Sequence, residues 1–516
     1  MEIMYSLYPD LLQKLSFFLP FLLFLLFVYK ILCTSFNNGK NPPPSPPKLP
    51  IIGNLHQLGS LPHRSLYSLS QLYGNLMLLH LGSRPTLVVS SPDMAQQILK
   101  THDKVFSNRP KSHISSRIFY DGKDIAFTSY GEYWRRIRSV CVMQLLSNKK
   151  VQSFQIVREE EASLIVEKIK KSCNLVINLR EIIMLYTNDV ICRASLGRKY
   201  SGDDDEGSKF KKLLNDAMRL IGYFSFEDMI PWLGWIDRIM GLKGEVEDVA
   251  QGLDEIIGKV VEEHQNKLSC KNNILGVDGK RENIDTFVEI LLQFHKENND
   301  IQLESIKAII LDMFAAGTDT TQTFIEWVII ELIRQPRAMK QVQEEIRKVV
   351  GGGNNNICEE HLEKLTYLKA VVKESLRLHP PAPLLVFHES SEDVKLNGFD
   401  VAAGTQVLIN AWAIHRDPSF WEEPEEFRPE RFLNNPCDFT GLYFHYIPFG
   451  AGRRICPGIS FAIRTTELLI ANLVYEFDWK FPRGIEAENL DMTEAAGITV
   501  GRRDPPMLIA TPCLWR

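Results

Sequence analysis

No Cys-x-x-Cys pair occurs anywhere in the 516 residues, and the nine cysteines are scattered and odd in number. That excludes the common zinc frameworks, which gather about four ligands in paired spacing, and it excludes a disulfide scaffold in favour of a reducing compartment. A Gly-x-Gly-x-x-Gly turn and a phosphate loop are also absent, since Gly450-x-Gly452 lacks the third glycine. The chain therefore carries no nicotinamide site of its own. Long basic runs are missing too, and 59 Lys and Arg against 64 Asp and Glu leave a formal charge of -5, which gives no electrostatic case for nucleic acid. Beyond Ile51 there is no repeat and no second linker, because the Gly351 to Asn356 tract is too short to separate one domain from another.

What is present begins with an apolar run from Leu15 to Tyr29, bounded by Lys14 and Lys30 and extended by Ile31 to Cys33. A helix needs roughly 20 residues to cross a bilayer, so a cleaved leader and a buried core helix compete with an anchor. No small-residue cleavage site follows, and a core helix would not precede a proline linker, so residues 1–35 read as a retained membrane anchor. Glu2 and Asp10 precede the run while Lys30, Lys40 and Lys48 follow it, which places the remainder of a single-pass chain in the cytosol. Pro42, Pro43, Pro44, Pro46, Pro47 and Pro50 mark residues 36–50 as a stiff hinge, and residues 51–516 read as one domain.

Within that domain apolar residues recur at helical spacing over Val151 to Lys171, Ser305 to Arg334, Leu362 to His379 and Ile459 to Phe477. Strand signals are fewer: Leu76 to Leu81, Thr86 to Ser90, and Val394 to Val401 around an Asn397-Gly398 turn. The fold class is mainly α with a small β component.

One cysteine stands apart. Pro448 to Gly458 reads Pro-Phe-Gly-Ala-Gly-Arg-Arg-Ile-Cys-Pro-Gly and sets Cys456 on a glycine-rich loop that runs into an apolar helix. Glycines let backbone N–H groups approach the sulfur, Arg453 and Arg454 add positive charge, and Pro457 suits a first helical position, so the thiolate is expected to be favoured. A single axial thiolate suffices for haem iron and supports oxygen activation. Phe449, Gly452, Arg454, Cys456 and Gly458 match the haem-binding signature of the cytochrome P-450 superfamily, and the chain resembles its plant microsomal members of the seventy-one clan.

The resemblance implies the cytochrome P-450 fold, a haem b held by Cys456, and dioxygen with NADPH-derived electrons as co-substrates. Ala315-Ala316-Gly317-Thr318-Asp319-Thr320-Thr321 interrupts a long helical pattern with small and polar residues and is similar to the family's oxygen-activation motif. It assigns Thr320 to oxygen activation, Asp319 to the proton relay, and Ala316 to the cofactor wall. Trp134 and Arg138, with Arg454, resemble the haem-propionate contacts, and Phe449, Gly450 and Gly458 the sulfur side. Where plant members carry a third arginine, this chain has His388, whose charge is expected to depend on pH near neutrality. Glu374, Arg377 and Arg431 would form a buried cluster bracing the cysteine loop. Ile118, Phe119, Phe224, Ala315, Leu384, Val386 and Ile498 would line the substrate pocket.

The family reading makes the protein a monooxygenase of the endoplasmic reticulum membrane acting on a small apolar specialised metabolite, such as a terpenoid, phenylpropanoid or indolic compound. The catalytic unit would be monomeric. Electrons would come from a membrane-bound NADPH–cytochrome reductase docking on Arg135, Arg136 and Arg453, and residues 224–235 would touch lipid. A same-fold dehydratase or rearrangement enzyme that needs no dioxygen, and a haem sensor without turnover, remain as alternatives.

Overall fold

Thirty-two residues, Leu303–Arg334, form one continuous helix, about 48 Å long at the standard rise, and most of it is buried. It ends at Gln335, whose backbone leaves helical torsions (φ -120°, ψ 77°) because Pro336 follows. The computed structural model describes residues 18, 20–25, 27, 41–200, 205–273, 285–298, 301–351, 357–482 and 490–513. Among them no helix is long and apolar enough to cross a membrane. Most of the 15–33 stretch expected to form an anchor lies outside the described residues.

Two further helices flank the long one. Leu179–Leu196 starts at Asn178, whose side chain accepts the Glu181 N–H, and stops at Gly197, which takes φ +71°. Ile459–Glu476 begins two residues after Pro457, with Gly458 at its cap, so Pro457 ends the loop and does not open the helix. The Tyr186 hydroxyl donates to Thr465 O at 3.1 Å and ties these two helices together beside the long one. Gly317 is where the long helix comes close to Leu179–Leu196: a Cβ there would stand 2.7 Å from Ile191 Cδ1. A larger residue there would force the end of the Ile191 side chain to move, so the small residue favours the close packing of the two helices.

The remaining expectations shift by a few residues. Val151 to Lys171 is broken into Asn148–Ser153 and Gln155–Lys171 at Phe154 (φ -88°, ψ 8°). Leu362 to His379 shortens to Thr366–Leu378, preceded by a separate turn, Glu359–Leu362. Strands β1 (Leu76–Leu81) and β2 (Arg84–Val89) form an antiparallel hairpin, while β3 (Val176–Asn178) belongs to a second sheet. Further along come β4 (His388–Glu389), β5 (Val394–Leu396), β6 (Phe399–Val401) and β7 (Gln406–Ile409), then β8 (Phe477–Lys480) and β9 (Met507–Pro512). The main sheet runs β1-β2-β7-β4, with β2 and β7 parallel and Thr86 opposite Gln406. The other sheets are β3-β9-β8 and β5-β6. The β5-β6 turn has Asn397 at φ +48° and Gly398 at φ +82°, as an Asn-Gly hairpin requires.

The proline stretch is held rather than free over residues 41–50. Pro43 and Pro46 are buried, Leu78 N donates to Pro44 O at 2.8 Å, and Asn54 Nδ2 donates to Pro46 O and Pro47 O at 3.4 and 3.2 Å. Asn41 N donates to Asp400 Oδ2 at 2.8 Å. Residues 41–50, expected to belong to the hinge, are therefore docked on the domain.

Candidate functional site

A cavity of about 290 Å³ lies between the middle of the long helix and the loop that leads into Ile459–Glu476. The sulfur-bearing Cys456 lines one side of it with Phe449, Gly450 and Gly458, and Ala316, Gly317, Thr320 and Thr321 line the other. The loop conformation is imposed by backbone sterics. Gly452 sits at φ +68°, and a Cβ there would stand 2.0 Å from Leu99 O, so no other residue fits. Gly450 takes φ +71°, and the Cys456 N–H donates to Phe449 O at 3.0 Å.

The charge around the sulfur differs from expectation. Burial pushes the Cys456 thiol up, and the Gly458 N–H and the Arg138 charge only partly oppose it. Arg453 and Arg454 are engaged elsewhere: Arg453 pairs with Asp103 at 2.8 Å, and Arg454 stacks over Trp134 at 4.1 Å. A thiol in this setting ionises when a cation binds it, so the protein alone does not supply the thiolate.

At one end of the cavity three arginines converge. Arg109, Arg138 and Arg454 all line it, and each spends donors on main-chain carbonyls, Arg138 on Ile455 O. Arg109 donates to Ala126 O at 3.0 Å and to Val386 O at 2.9 Å, and Arg454 donates to Ser107 O, Ile125 O and Thr128 O at 2.8, 3.2 and 2.6 Å. Burial, then the charges of Arg109 and Arg138, pull Arg454 down to about 8; burial pulls Arg109 down to about 9. Crowded, dehydrated guanidiniums, with Asp124 as the carboxylate acting on Arg109 and Arg454, are the arrangement expected beside a ligand that brings its own carboxylates. A thiol at one point and excess positive charge at the rim fit an iron porphyrin, whose two propionates supply the missing anions.

Trp134 and His388 take other roles than expected. Trp134 Nε1 donates to Ile125 O at 3.0 Å and the ring supports Arg454, so its N–H is spent inside the protein and the residue does not line the cavity. His388, placed on β4, does line it, but Nδ1 donates to Phe106 O at 2.8 Å. Burial, then Arg109, holds it well below the usual histidine range. A neutral ring with Nδ1 committed has only an acceptor left at Nε2, so His388 carries no charge near neutrality and does not hold an anion.

The long helix turns its two expected catalytic residues into different cavities. Thr320 faces the cofactor cavity and its hydroxyl donates to Ala316 O at 2.5 Å. Asp319, about 100° further round the helix, lines a separate cavity of about 30 Å³, roughly the volume of one water, with Ala315, Thr318, Asn188 and Lys211. Burial pushes the Asp319 carboxyl up, while the Thr499 hydroxyl and the Arg180 charge oppose this.

The ionic cluster expected at Glu374 is present, with Glu374 and Arg377 fully buried and Arg431 at its partly exposed edge. Arg377 Nε and Nη2 donate to the two Glu374 oxygens at 2.8 and 2.9 Å, and Arg431 Nε donates at 3.0 Å. Its link to the cysteine loop runs through His415, which the sequence reading passed over. Arg377 donates to His415 O at 2.9 Å, and the His415 ring accepts the Ile447 N–H at 2.9 Å. Gly450 N then donates to Ile447 O at 2.9 Å. Burial, then Arg377, lowers His415 to about 3, which keeps that ring nitrogen an acceptor.

Of the expected substrate residues, Val386 lines the main cavity and Ala315 the small one. Ile118 and Phe119 are plain core, Leu384 packs in a satellite cluster near β1, and Phe224 is 42% exposed. Ile498 is absent from the walls and lies beside Gly222. Asp312, Arg109, Met313 and Leu385 line the cavity although the sequence reading did not name them. Asp312 left a signal, a lone carboxylate in the apolar run Ile309-Ile310-Leu311-Asp312-Met313-Phe314.

The family model described as Cytochrome P450 matches residues 43–508. "Cytochrome P450 71A6" of Nepeta racemosa is 51% identical over 507 residues, covering 96% of this chain and 98% of that protein. "Psoralen synthase" of Ammi majus is 48% identical, covering 97% and 98%, and "Norfluorocurarine oxidase" of Strychnos sp is 49% identical, covering 94% and 96%. A zebra fish cytochrome P450 solved with progesterone superimposes with a TM-score of 0.73 at 26% identity, over 88% of this chain and 99% of that one. With the thiol, the arginine rim and the small-residue helix face already in place, these likenesses settle the family: the chain belongs to the cytochrome P450s, haem-thiolate monooxygenases that use dioxygen and NADPH-derived electrons.

Proposed function

We propose that the protein is a membrane-anchored monooxygenase that inserts one oxygen atom into a small apolar plant metabolite of terpenoid, phenylpropanoid or indolic type. The observation that carries this reading is the wall facing Cys456, where Ala316, Met313, Leu385 and Val386 leave an apolar space directly against the small-residue face of the long helix. Two relatives bear names that fit it, psoralen synthase and norfluorocurarine oxidase.

When haem is bound through Cys456, it supplies dioxygen activation. The chain's own residues orient and protonate. Arg109, Arg138 and Arg454 hold the carboxylate edge, and Gly317 lets the helix lie close. The Thr320 hydroxyl, parked on Ala316 O, is a donor on the cavity face, and Asp319, moved by burial toward its neutral form, holds a proton in the adjoining small cavity.

Electrons enter from a membrane-bound NADPH–cytochrome reductase that docks over Arg135, Arg136 and Arg453, all of them exposed. The anchor in residues 1–35, single-pass in the endoplasmic reticulum membrane, keeps a monomeric catalytic domain on the cytosolic face. Trp232 and Trp235, 62% and 57% exposed, support a second lipid contact there. The test is reconstitution with reductase, NADPH and heavy-isotope dioxygen against a panel of plant metabolites. Label in the product supports the reading. NADPH consumption that never rises with substrate would leave a sensor, and turnover without dioxygen would leave a dehydratase.

A further inference from the structure

Asp312 lies two turns before Thr320 on the long helix, lines the cofactor cavity, and is 6% exposed. Its carboxylate reaches the loop 124–128, where Oδ2 accepts the Ile125 N–H at 2.6 Å and the Ala126 N–H also stabilises its charge. The opposite poles of the same short stretch of backbone hold the cofactor arginines. Ile125 O accepts from Arg454 and from Trp134, Ala126 O accepts from Arg109, and Thr128 O accepts from Arg454. Asp124 closes the loop on itself, taking the Phe127 N–H at 2.7 Å and the Thr128 hydroxyl at 2.8 Å.

We propose that Asp312 is a positioning residue for the cofactor: by gripping the N–H side of loop 124–128 it fixes the carbonyl side, and through it Arg454 and Arg109 at the cavity rim. The peptide joining Ile125 and Ala126 turns its N–H to Asp312 and its carbonyl to Arg454 and Trp134, so an acceptor on the N–H end strengthens the carbonyl end, while Arg109 on Ala126 O is held through the shape of the loop. The carboxylate is costly to keep. Burial, then Asp124, pushes Asp312 well above the ordinary carboxylate range, and the two loop N–H groups oppose that. A lone buried acid on an apolar helix is retained only with partners, and here those partners are the backbone that carries the arginines. Asp312 touches none of the cofactor arginines in the contacts described, so its effect on the cofactor passes through the loop.

This inference rests on the haem reading, and its test separates the two. The holoprotein is mixed with excess apomyoglobin and haem transfer is followed spectrally for wild type, D312A, D312N, R454K and the double variants. Asp312→Ala should speed haem release roughly tenfold or more, while Asp312→Asn, which keeps one oxygen acceptor, should stay within about threefold. Arg454→Lys should accelerate release in wild type, add far less on the D312A background and add only part of its wild-type effect on the D312N background, because Asp312→Ala cuts the same chain of bonds and Asp312→Asn weakens it. Where D312A yields no holoprotein, the D312N and R454K cycle decides. Release at the wild-type rate in D312A, or effects of Asp312 and Arg454 that simply multiply, would overturn the proposal. A wild-type protein without a cysteinate-type spectrum would instead overturn the haem reading.

Discussion

Removing the Glu374 carboxylate should detach the cysteine loop before it affects chemistry. Glu374 is fully buried and accepts from Arg377 twice, from Arg431 Nε and from the Arg428 N–H at 2.8 Å. In Glu374→Ala, two buried guanidiniums and a peptide N–H lose their acceptor together. Arg377 keeps its bonds to His415 O, Pro424 O and Glu426 O, so it stays buried as an uncompensated charge. Breaking a buried ion pair from one side costs about 3–5 kcal/mol, a large share of the roughly 5–15 kcal/mol that holds a typical fold. The strain should travel along His415 to Ile447 and Gly450. The assay is haem content per chain after purification, with hydrogen exchange read separately for residues 447–456 and for β1 and β2. The expected result is low haem content and fast exchange in the loop while the hairpin stays protected. Full haem content with wild-type loop exchange in Glu374→Ala would refute the bracing argument, and uniform loss of protection would show that the cluster supports the whole domain rather than the loop.

Gly452→Ala should be at least as damaging as a cluster mutation despite adding one methyl, because the new Cβ would meet Leu99 O at 2.0 Å on a backbone at φ +68°; haem content and thermal unfolding report it. Cys456→Ser should abolish the red-shifted carbon-monoxide band and monooxygenation together, and retained oxidation would contradict the ligand assignment. Stability should fall as pH drops through about 6.5, because the unfolded chain then binds protons that buried His388 and His415 refuse; each contributes a slope of about 1.4 kcal/mol per pH unit, ending for His415 near its folded value of about 3. Urea unfolding of wild type and His415→Gln at pH 7 and 5 should show a shallower pH dependence in the variant. Asp319→Asn should lower turnover and raise uncoupled NADPH use with haem binding unchanged, since Asp319 lies outside the cofactor cavity; lost haem content would reject the relay role.

The chemistry was legible in short stretches of chain, because a thiol on a glycine loop and a run of small residues inside a long apolar helix are each costly unless a cofactor lies between them. Helix ends were legible for the same local reason, as at Gln335 before Pro336. Strands such as β7 and β9 were not, since a short buried strand has no periodicity to separate it from helix.

Sequence alone therefore determined the family and the haem-thiolate cofactor, and it singled out Cys456 and the long helix that lines the same cavity. Only the tertiary structure decided how the surrounding charges are spent. Arg454 and Trp134 turn to the 125–128 carbonyls, His388 is neutral with one nitrogen committed, and Asp319 lines a different cavity from Thr320. Those outcomes depend on burial and on main-chain groups brought together from distant parts of the chain, and side-chain identity and spacing carry no record of either.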